Sequence, residues 1–131
     1  MSTSTEQTLN VMNRHLHAFM TNQGADAIVG DYDEHAILHA PDRVYRGVDE
    51  IRHFFAAFLD NLPEQALELF RMRSQEVHGE VGYIVWSVGE LIPLGTDTFV
   101  IRNGKIVQQT YAAHICPPVL VTSTGQEVRA R

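Results

Sequence analysis

The chain has 131 residues, the size of one domain, and 44% of them are hydrophobic, which is enough for an independent core and excludes a disordered chain. A formal net charge of −6 with only ten Lys and Arg residues excludes nucleic-acid binding, whose clustered cations have no counterpart beyond Arg71-Met72-Arg73. The longest uncharged apolar run, Phe54 to Leu59, is far below the roughly 20 residues that span a bilayer, so no membrane association is expected.

The N-terminus has neither a basic start nor an apolar run, so it does not read as a signal peptide, and a soluble cytoplasmic protein is expected. Leu9, Met12, Leu16, Phe19 and Met20 follow the spacing of one helical stripe, capped by Ser4 or Thr3 with Gln7 or Glu6 as partner. Gly24 stops that helix, and a short second one from Ala25 to about Gly30 turns Ile28 and Val29 inward. His35 to Ala40 reads as a short strand ended by Pro41, and Val44-Tyr45-Arg46 as another. Gly47 opens a third helix whose apolar set runs from Val48 through Ile51, Phe54, Phe55 and Phe58 to Leu62, with Asp49 and Glu50 placed favourably in its first turn.

Four strands follow: Leu67 to Val77, Val81 to Leu91, Thr96 to Arg102 and Lys105 to Ile115. Their turns are His78-Gly79, the Pro93-Leu94-Gly95 stretch and Asn103-Gly104, the last being the pair that a type I′ hairpin favours. Ile84, Trp86 and Val88 alternate with Val81, Tyr83 and Val85, so this sheet is apolar on both faces. Helices cover one face; the other calls for a second copy, and a homodimer is expected. Helices segregated ahead of an antiparallel meander indicate an α+β fold in one domain over residues 1–131. The tail, about residues 119–131, is expected to have a mobile end.

The order and spacing of Gly24-Ala25-Asp26-Ala27-Ile28-Val29 with Tyr32, of Gly47-Val48-Asp49-Glu50-Ile51 with Phe54-Phe55, and of Asp97 through Ile106 resemble the nuclear transport factor 2-like superfamily, within it the SnoaL-like and ketosteroid isomerase-like proteins. The resemblance covers roughly residues 8 to 115. It implies a cone in which three N-terminal helices pack on a curved, mainly antiparallel sheet around an apolar pocket. Function is far less constrained, because this fold carries isomerases, cyclases, dehydratases and non-catalytic binding domains alike.

Ketosteroid isomerase-like proteins place a general-base Asp just before a Pro on the first strand; here Ala40 precedes Pro41, and alanine takes no proton. His39 beside it is a candidate replacement base, although alternation sends it away from the face of Leu38 and Ala40. Asp97 falls where the resemblance implies a second acid, held protonated by an apolar site to donate a hydrogen bond. The first helix lacks the tyrosine of that group, which leaves His15 on the flank of the buried stripe as a candidate. Counting from the hairpin pairs 102 with 105 and sets Asp97 opposite residue 110, with Tyr111 adjacent and able to reach it. His114 is a candidate for the pocket mouth.

Trp86, Phe99 and Phe58, together with Leu38 and Ala40, are expected ligand-contacting walls. No metal is expected: His15 and His17 diverge on their helix, and His35 and His39 stand about 13 Å apart along a strand. No cofactor is implied either, since Gly-rich phosphate loops and a nucleophile elbow are absent from the sequence. Cys116 is alone, excludes an intrachain disulfide and reads as apolar filler.

Three readings therefore stand. One is a cofactor-independent acid–base enzyme (isomerase, cyclase or dehydratase) acting on an apolar or polyketide-like molecule. The second is a non-catalytic dimer that binds a small hydrophobic ligand. The third is a protein-interaction module using the outer sheet face.

Overall fold

The computed structural model describes residues 3–116 and the backbone of 119–121 and 127–129. Helix α1 spans Ser4–Met20 and begins at a reciprocal cap, in which Thr3 and Glu6 satisfy each other's backbone amides; such caps are worth about 1 kcal/mol. Its buried stripe includes Val11, Met12, His15, Leu16 and Phe19, whereas Leu9 and Met20, expected on that stripe, are exposed. His15 therefore lies in the stripe and not on its flank. Helix α2 (Ala25–Ile28) runs into a 3₁₀ turn (Val29–Asp31), and both Ile28 and Val29 are buried as expected.

Strand β1 (Tyr32–His39) starts three residues earlier than the sequence suggests and includes the buried Tyr32. After β2 (Val44–Arg46), helix α3 covers Val48–Asn61 and buries Ile51 and Phe55. A second 3₁₀ turn (Ala66–Leu69) leads into β3 (Phe70–His78), β4 (Val81–Val88), β5 (Ile92–Arg102) and β6 (Lys105–His114).

The expected turn at Pro93-Leu94-Gly95 is a correction. The reversal comes earlier, where Gly89 adopts positive φ, and Pro93 lies inside β5 at a register shift between β4 and β5. A register shift is where a strand tolerates a residue that lacks an N–H. Asn103 and Gly104 both have positive φ, as the predicted hairpin requires.

Six strands form one curved, unclosed sheet in the order β2-β1-β6-β5-β4-β3. All pairs are antiparallel except β1 with β6. The three helices pack on it, giving the α+β cone. Met12 of α1 lies directly on Gly82 of β4, where even a methyl group would overlap its thioether. The missing side chain lets helix and sheet approach. Val119–Val121 and Glu127–Arg129 pair as a small separate hairpin, β7 and β8. The expected mobile end of the tail concerns residues 122–126 and 130–131, which lie outside the described residues. Among the described residues no helix is long and apolar enough to cross a membrane.

Candidate functional site

The inner face of the sheet presents Ile84 and Trp86 from β4, Asp97 and Phe99 from β5, and Gln109 and Tyr111 from β6. The last pair face inward because of a bulge. Arg102 pairs with Lys105 and Ile101 with Ile106, but Val100 pairs with Gln108, so Val107 is left out of the ladder. Every residue beyond is displaced by one, and Asp97 opposes Tyr111, not residue 110 as hairpin counting suggests.

Asp97 is only 8% exposed and makes no ion pair among the described residues. The indole N–H of Trp86 donates to its Oδ1 at 2.7 Å, and the Gln109 amide donates to its Oδ2 at 2.7 Å. The Tyr32 hydroxyl donates in turn to the Gln109 carbonyl, which fixes the amide so that its NH2 end meets Asp97. Burial pushes the Asp97 carboxyl up to about 6, and the two N–H donors oppose that rise. Two donors aimed at two oxygens match the ionised carboxylate. This differs from the protonated donor that the resemblance implies.

Trp86 holds its position between Phe70 and Tyr111, with ring planes inclined by 21° and 11° respectively. Gly95 allows this placement, since a methyl group there would overlap the indole.

His15 enters the same chamber from α1. Its ring meets Phe99, Tyr32 and Phe55 edge-on, with centroids 5.3 to 5.7 Å away. Nδ1 lies 3.3 Å from the Ile28 carbonyl. A carbonyl only accepts, so Nδ1 carries the proton and Nε2 keeps its lone pair. Burial lowers the imidazole to about 4, so His15 is neutral at pH 7. Tyr111 is half-buried, and burial with the neighbouring Asp97 charge raises its hydroxyl to about 12, leaving it a hydrogen-bond donor. The hydrogen bonds of Asp97 go to Trp86 and Gln109; the expected Asp97–Tyr111 bond is not among them.

Asp97, His15, Tyr111, Trp86, Phe99 and Phe58 therefore share one chamber of about 40 Å³. That is room for a single ordered water. The remaining candidates lie elsewhere. His39 is exposed and bonds Gln108 at 3.0 Å on the outer side of the sheet. His114 is exposed opposite Leu94. Leu38 is fully buried in the core away from the chamber lining, and Ala40 lies past the end of β1, outside it.

Gln109 and Tyr32 complete the site, and hairpin counting missed Gln109 because the bulge is not written in local composition. A buried glutamine two residues from an inward tyrosine is the signal that would have exposed it once the register is known.

Tyr32→Phe removes the bond that orients Gln109 and leaves a buried carbonyl without its donor. We expect a loss of about 1–2 kcal/mol, larger at pH 8 than at pH 5, because only the ionised carboxylate depends on the amide. Denaturant titrations at the two pH values test this; equal losses would contradict the coupling between Tyr32 and Asp97.

No protein-family model matches the sequence, and no curated protein does. Solved structures do match. An NTF2-like protein of unknown function from Burkholderia xenovorans superposes with TM-score 0.67 at 21% identity, covering 91% of this chain and 90% of its own. Another from Mesorhizobium loti gives TM-score 0.70 at 18% identity, with 87% and 96% covered. The chain has the nuclear transport factor 2-like fold. A SnoaL-like protein of unknown function from Burkholderia thailandensis shares it, with TM-score 0.66, 13% identity and coverage of 82% and 94%. In this fold the Asp97 chamber lies on the concave side of the sheet, beneath α1 and α3.

Proposed function

We propose that the protein performs cofactor-independent acid–base chemistry on a small apolar carbonyl compound, with Asp97 as general base. The observation that carries this reading is a buried carboxylate without a cation, its proton affinity raised to about 6, on the wall of an aromatic chamber. A base of that strength is ionised at neutral pH yet strong enough to accept a proton from carbon next to a carbonyl. Trp86 and Gln109 hold its oxygens in place. Tyr111, opposite Asp97 in the ladder, donates a hydrogen bond from its hydroxyl to the developing enolate oxygen and keeps its proton, which stabilises the charge. His15, neutral with a free Nε2, accepts a hydrogen bond from a ligand donor. Return of the proton from Asp97 to a different carbon would complete an isomerisation.

The test needs no knowledge of the natural substrate. Exchange of the α-protons of 2-tetralone in deuterated buffer, followed by NMR, should be accelerated by the protein. The rate should rise with pH through about 6, as Asp97 ionises, and then level off. Asp97→Asn should reduce it by about a hundredfold or more. Equal exchange by the variant would remove Asp97 from the chemistry.

One observation favours a second reading, that of a binding protein without turnover. The chamber holds only about 40 Å³ and both carboxylate oxygens already have donors. Under that reading a hydrophobic ketone raises the melting temperature and no exchange occurs. In either case we propose a dimer through the outer sheet face, where Val81 and Tyr83 are 44% and 40% exposed.

A further inference from the structure

A second, open hollow of about 310 Å³ lies beside the Asp97 chamber, along the outer side of α3. Its polar rim is Asp42, Tyr45, His53 and Asn61, with the small Ala57 on the helix between them. The two spaces share three side chains, Phe54, Phe58 and Tyr111, and these form the wall between them. The wall is aromatic packing alone: Tyr111 meets Phe54 and Phe58 edge-on with centroids 5.4 and 6.0 Å away, and no hydrogen bond of the Tyr111 side chain holds it among the described residues. All three are half-buried, unlike Phe55 and Phe99 behind them. The Tyr111 hydroxyl also feels both carboxylates, Asp97 on one side and Asp42 on the other.

Neither space is complete alone. The chamber has the buried carboxylate but holds one water, and the groove has the volume of a small-molecule site but carries its polar groups on an open rim.

We infer that the groove is the outer half of the ligand site, and that Phe58 and Tyr111 swing aside to admit an elongated, uncharged apolar molecule whose oxygen-bearing end reaches Asp97. This rests on the proposed role of Asp97. Charge fixes the class of ligand: among the described residues neither Lys nor Arg lines either space, Asp97 lines the chamber and Asp42 lines the groove. Arg43 lies close, over the Tyr45 ring, but is bonded to Glu50 at 2.7 Å. An anionic molecule would meet two carboxylates with no counter-ion, and the site rejects it.

Trp86 is the single tryptophan of the chain, and it stands in the chamber wall, so its fluorescence reports arrival at Asp97 directly. The titrants are 4-phenylcyclohexanone, long enough for both halves, cyclohexanone, short enough to stay in the inner half once Phe58 and Tyr111 have swung aside, and 4-phenylcyclohexanecarboxylate, the charged counterpart. The blocking variant is Ala57→Phe, at an exposed helix position outside the chamber.

We expect 4-phenylcyclohexanone to change Trp86 emission, Ala57→Phe to weaken it at least tenfold while leaving cyclohexanone unaffected, and the carboxylate to bind at least tenfold more weakly. Unchanged affinity for the long ketone in Ala57→Phe would overturn the groove assignment, as would failure of the long ketone to bind or equal binding of the carboxylate. The failure of the catalytic reading looks different: Ala57→Phe still weakens the long ketone, while no α-proton exchange accompanies binding.

Discussion

Replacing Asp97 by Asn should make the protein gain about 2 kcal/mol relative to the parent as pH rises from 4 to 6. The carboxyl has an ordinary value of 3.8 and is pushed up to about 6 by burial, so the folded state holds a proton that the unfolded chain has released. Stability therefore falls as pH climbs through that window, and what is lost is the cost of burying an unpaired charge. Asn carries no such cost. It also fits, because the Gln109 amide can turn its carbonyl towards the new NH2 group and its own NH2 towards the Tyr32 oxygen.

His15 works in the opposite direction over nearly the same interval. Its folded value of about 4 lies below the ordinary 6.5, so the unfolded chain binds the extra proton and stability rises with pH, again by about 2 kcal/mol. In the parent the two contributions nearly cancel. His15→Phe should thus lose about 2 kcal/mol relative to the parent over the window where Asp97→Asn gains it. Urea titrations of the three proteins at pH 4, 5, 6 and 7 measure both differences. Parallel curves would show that neither group is buried as described.

Gly95→Ala should destabilise by about 3 kcal/mol, which is large for one methyl group. The new carbon occupies the space of the Trp86 indole. That ring is rigid, stacked between Phe70 and Tyr111, and bonded to Asp97, so it has no low-energy alternative. Overpacking costs about 1–3 kcal/mol, and stripping a donor from a buried carboxylate costs about as much again. Loss of that donor also raises the Asp97 proton affinity, because the Trp86 bond is one of the two that lower it. The rising limb of any activity profile should shift to higher pH, and Trp86 emission should move to the red as the indole meets water. Full stability with unchanged emission would show that the indole is free to lie elsewhere. Gly82→Ala makes an informative control. It presses on Met12, whose flexible thioether can move, so a smaller loss is expected.

The sequence carried the helices and strands because their signals are local. The spacing of Val48, Ile51 and Phe55, the Asn103-Gly104 turn and the Thr3–Glu6 cap each act within a few residues, and each reappears in the structure. Asp97 was legible for a related reason: an acid on an otherwise apolar strand conflicts with its surroundings unless it has a use. What the sequence withheld depends on register. One unpaired residue, Val107, decides that Gln109 and Tyr111 face inward, and nothing in valine announces a bulge. The turn before β5 was misplaced because Pro93 signals a break in any local reading, whereas a shifted ladder accommodates it. His39 and His114 attract attention by chemistry alone; strand alternation leaves both exposed.

The parallel pairing of β1 with β6 ties the Asp97 cluster to the timing of folding. The β3–β6 meander is built from neighbouring hairpins and closes short loops, so it can form early. Tyr32 and Gln109 are 77 positions apart in the chain and meet only when the first strand docks on the last. Until then the amide beside Asp97 lacks the hydroxyl that orients it. A chain arrested before that docking would contain every residue of the centre and lack the centre itself.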